Sequence, residues 1–145
     1  MITFRSLVIL LPLLSCAAPG PTDPSDLLSL PVSDREEIPP DELASMLGRT
    51  VDTVEGAGDL ILHLIDTQPG RRMVFTVDAN GEFEPSRYGI TFISDGFSDD
   101  SVQGVRLDLT LERTPDDRWR MSSAKRSFRC APGRGHITFS TDLCR

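Results

Sequence analysis

The residues best suited to chemistry lie near the C-terminal end. Gly133-Arg134-Gly135-His136 sits between Cys130 and Cys144, and Arg129 precedes the first cysteine. Glycines flanking an arginine let backbone N–H groups converge into an anion-binding nest. A guanidinium fork matches a carboxylate or phosphate, and an imidazole adds a contact that responds to pH. Arg129, Arg134 and His136 therefore form a candidate anion site. The competing reading is that the glycines only let the chain turn, and that the arginines pair with acids of the same domain such as Asp99, Asp100 and Asp108. Cys130, His136 and Cys144 offer three soft ligands, but no fourth is evident, so no metal is expected. Asp95, Asp99 and Asp100 make a carboxylate-rich loop whose spacing does not fit an EF-hand. Asp100, His136 and Ser140 can be assembled on paper into a hydrolytic trio, but G-x-S-x-G and H-E-x-x-H are both absent, and His63 lies in an apolar run. No catalytic residue and no cofactor is assigned.

Charge sharpens the anion reading. The 145 residues carry 15 basic and 22 acidic side chains. Residues 118–145 hold seven basic groups (Arg118, Arg120, Lys125, Arg126, Arg129, Arg134 and Arg145) against Asp142 alone, so this segment is at +6 within an acidic chain. The overall negative charge argues against nucleic acid as a partner. An anionic envelope component or an acidic protein fits the basic segment better. Hydrophobic residues make up 39% of the chain and aromatics 6%, enough for the core of one small domain.

The N-terminus carries an address. Arg5 precedes an apolar stretch from Leu7 to Leu14, too short to span a bilayer permanently and suited to a cleavable signal peptide over residues 1–15. Leu13-Leu14-Ser15-Cys16 resembles the lipobox of bacterial lipoproteins: Leu three before the cysteine, a small residue directly before it, and Cys as the new first residue. The resemblance covers only this segment. It implies cleavage before Cys16, a diacylglyceryl thioether on its sulfur, and a membrane partner reached through acyl chains. In a Gram-negative host, Ala17 in second position implies the outer membrane, facing the periplasm. The alternatives are an ordinary secretory signal cut near Ala17-Ala18, or an uncleaved anchor.

Lipidation resolves an odd cysteine count. With Cys16 occupied, Cys130 and Cys144 remain as one pair in an oxidising compartment, and a disulfide is expected. Residues 16–40 hold six of the eleven prolines and read as an extended tether, although Leu27, Leu28 and Leu30 stand out as apolar.

One α+β domain is expected over residues 41–145. Asp41 caps a short helix to Leu47. Gly56 and Gly58 interrupt any regular element, and residues 60–66 fit a buried helix or strand, with Asp59 as a cap favouring helix. Alternation at Met73-Phe75-Val77, Tyr88-Ile90-Phe92, Val105-Leu107-Leu109-Leu111 and from Trp119 towards Phe128 predicts three or four antiparallel strands, with one or two N-terminal helices on the buried face.

The last third also resembles a group of small exported bacterial proteins. The shared residues are Asp99-Asp100-Ser101-Val102 with Gly104, Trp119-Arg120, Arg129-Cys130, Gly133 to His136, Phe139-Ser140 and Cys144. The resemblance implies a common fold and disulfide loop, and it supplies no catalytic residues.

Overall fold

The computed structural model describes residues 23–47, 53–67, 70–81, 83–99 and 101–145. Cys16, the signal segment and Asp100 lie outside them. In chain order the elements are α1 (Asp26–Ser29), β1 (Glu36–Glu37), α2 (Pro40–Leu47), α3 (Val54–Thr67), β2 (Arg72–Ala79), β3 (Arg87–Asp95), β4 (Val102–Arg113) and β5 (Trp119–Cys130). The strands form one antiparallel sheet in the order β1-β5-β4-β3-β2.

The long strands form where apolar alternation is cleanest. Leu107, Leu109 and Leu111 of β4 are buried beside Ile90 and Phe92 of β3 and Ala124 of β5. The same cluster takes in Ile38, Leu43 of α2, and Ala57, Leu60, Ile61 and Leu64 of α3. Tyr88 and Trp119 lean together at its margin, their ring centroids 4.8 Å apart.

Residues 60–66 are helical, and the glycines do not interrupt the helix. It starts at Val54, and the Thr53 hydroxyl accepts the Gly56 N–H at 3.1 Å, as an N-cap does. Each helical glycine costs up to about 1 kcal/mol. The i, i+3, i+4, i+7 set Ala57, Leu60, Ile61 and Leu64 is wholly buried, which outweighs that cost. α2 begins at Pro40 instead of being capped by Asp41, because proline tolerates the first helical position, where its missing N–H is not needed.

The tether expected over residues 16–40 is corrected for the residues described. The sequence from Asp23 onward docks across the sheet's opposite face. Leu27 is fully buried with Ile93 and Phe139, and Leu28, Leu30, Val32 and Val74 pack around them. Ser33 N–H donates to Phe139 O, and Phe139 N–H to Pro31 O. β1 is the strand beyond the expected three or four. Its two glutamates stand opposite Arg126 and Lys125 and form ion pairs with them, while Ile38 N–H donates to Ala124 O and its side chain enters the core. A proline-rich, acidic stretch gives no periodicity; partners far along the chain hold it in place.

Candidate functional site

The C-terminal loop leaves β5 at Cys130 and returns to it. Cys130 and Cys144 are bonded to each other. Phe128 and Ser140 exchange both backbone hydrogen bonds, at 2.8 and 2.9 Å, so residues 131–139 form a closed lobe. Inside it, Arg134 N–H donates to Ala131 O, Cys130 N–H to His136 O, and Arg145 N–H to Arg134 O. Gly135 has φ +150°, and a Cβ there would stand 2.8 Å from Cys130 Sγ, so only glycine lets the strap lie against the disulfide.

The three residues of the expected anion site separate. Arg129 is 7% exposed and reaches inward, its Nε and Nη2 both donating to Oδ1 of the fully buried Asp95. His136 is half-buried, and both ring nitrogens face backbone carbonyls: Nδ1 at 2.8 Å from Thr138 O and Nε2 at 3.0 Å from Asp142 O. A neutral imidazole has one N–H and fills only one of these contacts. Either way the ring holds the lobe together and turns neither nitrogen to a ligand. Arg134 alone stays exposed. It lines an open groove of about 930 Å³ with Gly133, Gly135, His136, Asp142, Leu143, Cys144 and Arg145. Among the described residues neither Arg134 nor Arg145 forms a salt bridge, whereas Arg118, Lys125, Arg126 and Arg129 of the same basic segment pair with Asp116, Glu37, Glu36 with Glu42, and Asp95. Four of the seven cations are thus neutralised within the domain, and the acids involved are not those the sequence suggested. The Arg134 amide also closes a turn, so the glycines do not present it as a nest.

Beneath the lobe lies an arrangement that sequence reasoning missed. Asp95 is shared by two arginines, Arg129 on Oδ1 and Arg72 on Oδ2. Gly104 lets the carboxylate fit: a Cβ there would lie 2.6 Å from Asp95 Oδ1 and 3.1 Å from Ser94 O. Asp99 turns the chain into β4, its Oδ1 accepting from the N–H groups of Ser101 and Val102 and from the Ser101 hydroxyl. Those bonds hold its carboxyl below the ordinary value. Ala131 N–H then donates to Ser101 O, tying this turn to the lobe. The residues Asp99, Ser101, Val102, Gly104, Arg129 and Cys130 thus build one structural corner. The only hint in the sequence was the Asp99-Asp100-Ser101-Val102 run with Gly104 two residues beyond it.

The metal and hydrolase readings find little geometric support. The Sγ atoms of Cys130 and Cys144 and a ring nitrogen of His136 lie within 4.8 Å of one another, but both sulfurs are in the disulfide and neither is the thiolate that binds zinc. Ser140 Oγ donates to Asp142 Oδ2 at 3.4 Å rather than to His136. Between α2, α3 and the sheet the described cavity is about 70 Å³, lined by Ile38, Leu43, Leu60, Leu64, Val105, Leu107, Arg126 and Phe128.

On the other face, next to the docked N-terminal segment, a polar groove centres on Asp108. It accepts from Arg35, Arg106 and Thr91. Burial pushes its carboxyl up, but the hydrogen bonds from Arg106 and Thr91, the charge of Arg106 and the bond from Arg35 together hold it below 3.8.

No family model, no curated protein and no solved structure matches the chain.

Proposed function

We propose that the chain is a lipid-anchored protein of the bacterial cell envelope, cut before Cys16 and acylated there, whose domain works by binding and not by catalysis. In a Gram-negative host it faces the periplasm from the outer membrane. The Cys130–Cys144 bond supports this most directly, because it leaves Cys16 as the one cysteine of three outside that bond, at the position the lipobox requires. Among the described residues no helix is long and apolar enough to cross a membrane; in this reading the acyl chains on Cys16 are the anchor. Leu43 of α2 and Ala57, Leu60, Ile61 and Leu64 of α3 share a buried cluster with side chains of β3, β4 and β5. The binding surface is the groove beside the disulfide, where Arg134 and Arg145 offer two cations to an anionic headgroup, polysaccharide or acidic protein. An apolar-ligand module is the weaker reading, since about 70 Å³ is far below the ~300 Å³ at which small-molecule sites begin.

Intact mass spectrometry of protein extracted from membranes tests the anchor. The expected product begins at Cys16 and carries diacylglycerol and an amide-linked acyl chain, and Cys16→Ser abolishes both. A mature chain starting elsewhere, or a bare Cys16, refutes the anchor. Co-sedimentation of the Cys16→Ser chain with phosphatidylglycerol vesicles tests the groove, with phosphatidylcholine vesicles as control. Arg134→Ala/Arg145→Ala is expected to abolish the preference for the anionic vesicles, and unchanged binding returns the lobe to a purely structural role.

A further inference from the structure

β2 is an edge strand, and its inner-facing side chains are left uncovered. Met73, Phe75 and Val77 pair in register with Ser94, Phe92 and Ile90, so they lie on the same face as the core. Phe92 and Ile90 are 3% and 9% exposed, whereas Met73, Phe75 and Val77 are 42%, 53% and 51% exposed. The cover over the core stops one strand short. The strand also lacks the devices that normally blunt a free edge. Its eight residues contain no proline and no lysine, charge sits only near the two ends at Arg72 and Asp78, and its pairing with β3 is unbroken.

We propose that β2 is a dimerisation edge, pairing antiparallel with β2 of a second copy of this chain about a two-fold axis at Phe75. The strand is complementary to itself in that register. Phe75 faces Phe75, Met73 faces Val77 and Val74 faces Thr76, while Asp78 faces Arg72, which also bonds Asp95 Oδ2 within its own chain, at both ends. Aromatic, aliphatic and opposite-charge partners each stabilise a cross-strand pair. A shift by one residue would set the apolar face against the polar one. A shift by two keeps the apolar face together but sets Arg72 against Thr76 or Asn80 and loses both charge pairs. An unrelated partner strand would not require this symmetry. The two five-stranded sheets join into one, and the three exposed apolar side chains of each copy cover those of the other.

Cysteine cross-linking of the full chain in membranes tests this. In the stated register the two Phe75 positions face each other with Cβ atoms about 5 Å apart, near disulfide range. The two Asp78 positions lie six residues out of step, about 20 Å apart along the strands. Phe75→Cys is expected to give a covalent dimer under mild oxidation, and Asp78→Cys is not. Asp78→Arg placed in the Phe75→Cys chain sets like charges together at both ends and is expected to slow dimer formation about tenfold. An Asp78→Cys chain that cross-links as well as the Phe75→Cys chain, through crowding on the membrane, overturns the proposal. So does a Phe75→Cys chain that stays monomeric with its 130–144 bond intact, in which case hydrogen exchange would show whether residues 16–22 of the same chain cover β2.

Discussion

Asp95 is expected to be the most sensitive charged residue in the domain. Its side chain has no exposed surface, and that of Arg129 is 8% exposed. Replacing Asp95 with Leu leaves the Arg129 guanidinium enclosed with no counter-ion. Breaking one side of a buried pair in this way costs about 3–5 kcal/mol, against a total stability of roughly 5–15 kcal/mol for an ordinary domain. For a domain of this size that corresponds to a loss of about 15 °C in Tm. Urea titration at neutral pH, followed by Trp119 fluorescence, measures it. Two further variants separate a buried-charge penalty from simple misfitting. Arg72→Ala removes a side chain that is 25% exposed and leaves Asp95 bonded to Arg129, so about 1 kcal/mol is expected. Asp95→Leu/Arg129→Met replaces the buried pair with apolar side chains and is expected to recover most of the loss. An Asp95→Leu chain within about 1 kcal/mol of the parent, or a double variant no better than the single, would refute the reasoning, because Arg129 would then be reaching water.

Gly104→Ala drives a methyl against Asp95 Oδ1 and Ser94 O and is expected to cost about 1–3 kcal/mol, read in the same titration. Cys144→Ser opens a bridge spanning 14 positions and is expected to cost about 3 kcal/mol, matched by reductant on the parent chain. The Ser127 hydroxyl is buried without a hydrogen-bond partner among the described residues, so Ser127→Ala is expected to leave stability unchanged or raise it by up to about 1 kcal/mol in thermal melts. Asp108 has a carboxyl held below 3.8 in the folded chain, so its contribution is complete above that pH and disappears as pH falls through the lower folded value. Acid titration of stability is therefore expected to fall less steeply below about pH 4 in Asp108→Asn than in the parent; identical slopes would remove Asp108 from the acid response.

Alternation over Val105 to Leu111 was legible because a strand buried on one face repeats every two residues, whatever it packs against. The disulfide was legible because, once the lipobox reading sets Cys16 aside, the two cysteines that remain can pair in only one way. Docking of residues 23–38 was not, since it depends on contacts such as Ser33 with Phe139, more than a hundred positions apart, and on Glu36 and Glu37 meeting Arg126 and Lys125. The leucines at 27, 28 and 30, set in an otherwise polar stretch, were the available signal. Helix α3 ran through two glycines because four buried side chains outvoted local propensity. Arg129 was assigned to a surface site because an arginine facing a buried carboxylate and one facing water look the same in a sequence; its place directly before a fully buried cysteine was the missed clue.

The docked N-terminal segment also sets a stand-off distance. Seven peptide steps separate Cys16 from Asp23, a span of at most about 25 Å even when fully drawn out. In the lipid-anchored form proposed above, acyl chains on Cys16 would keep the body on a short leash close above the lipid headgroups, without the freedom to sweep far from them. A binding partner must then come to that layer, and two copies sharing it meet by sliding within a plane instead of tumbling through a volume.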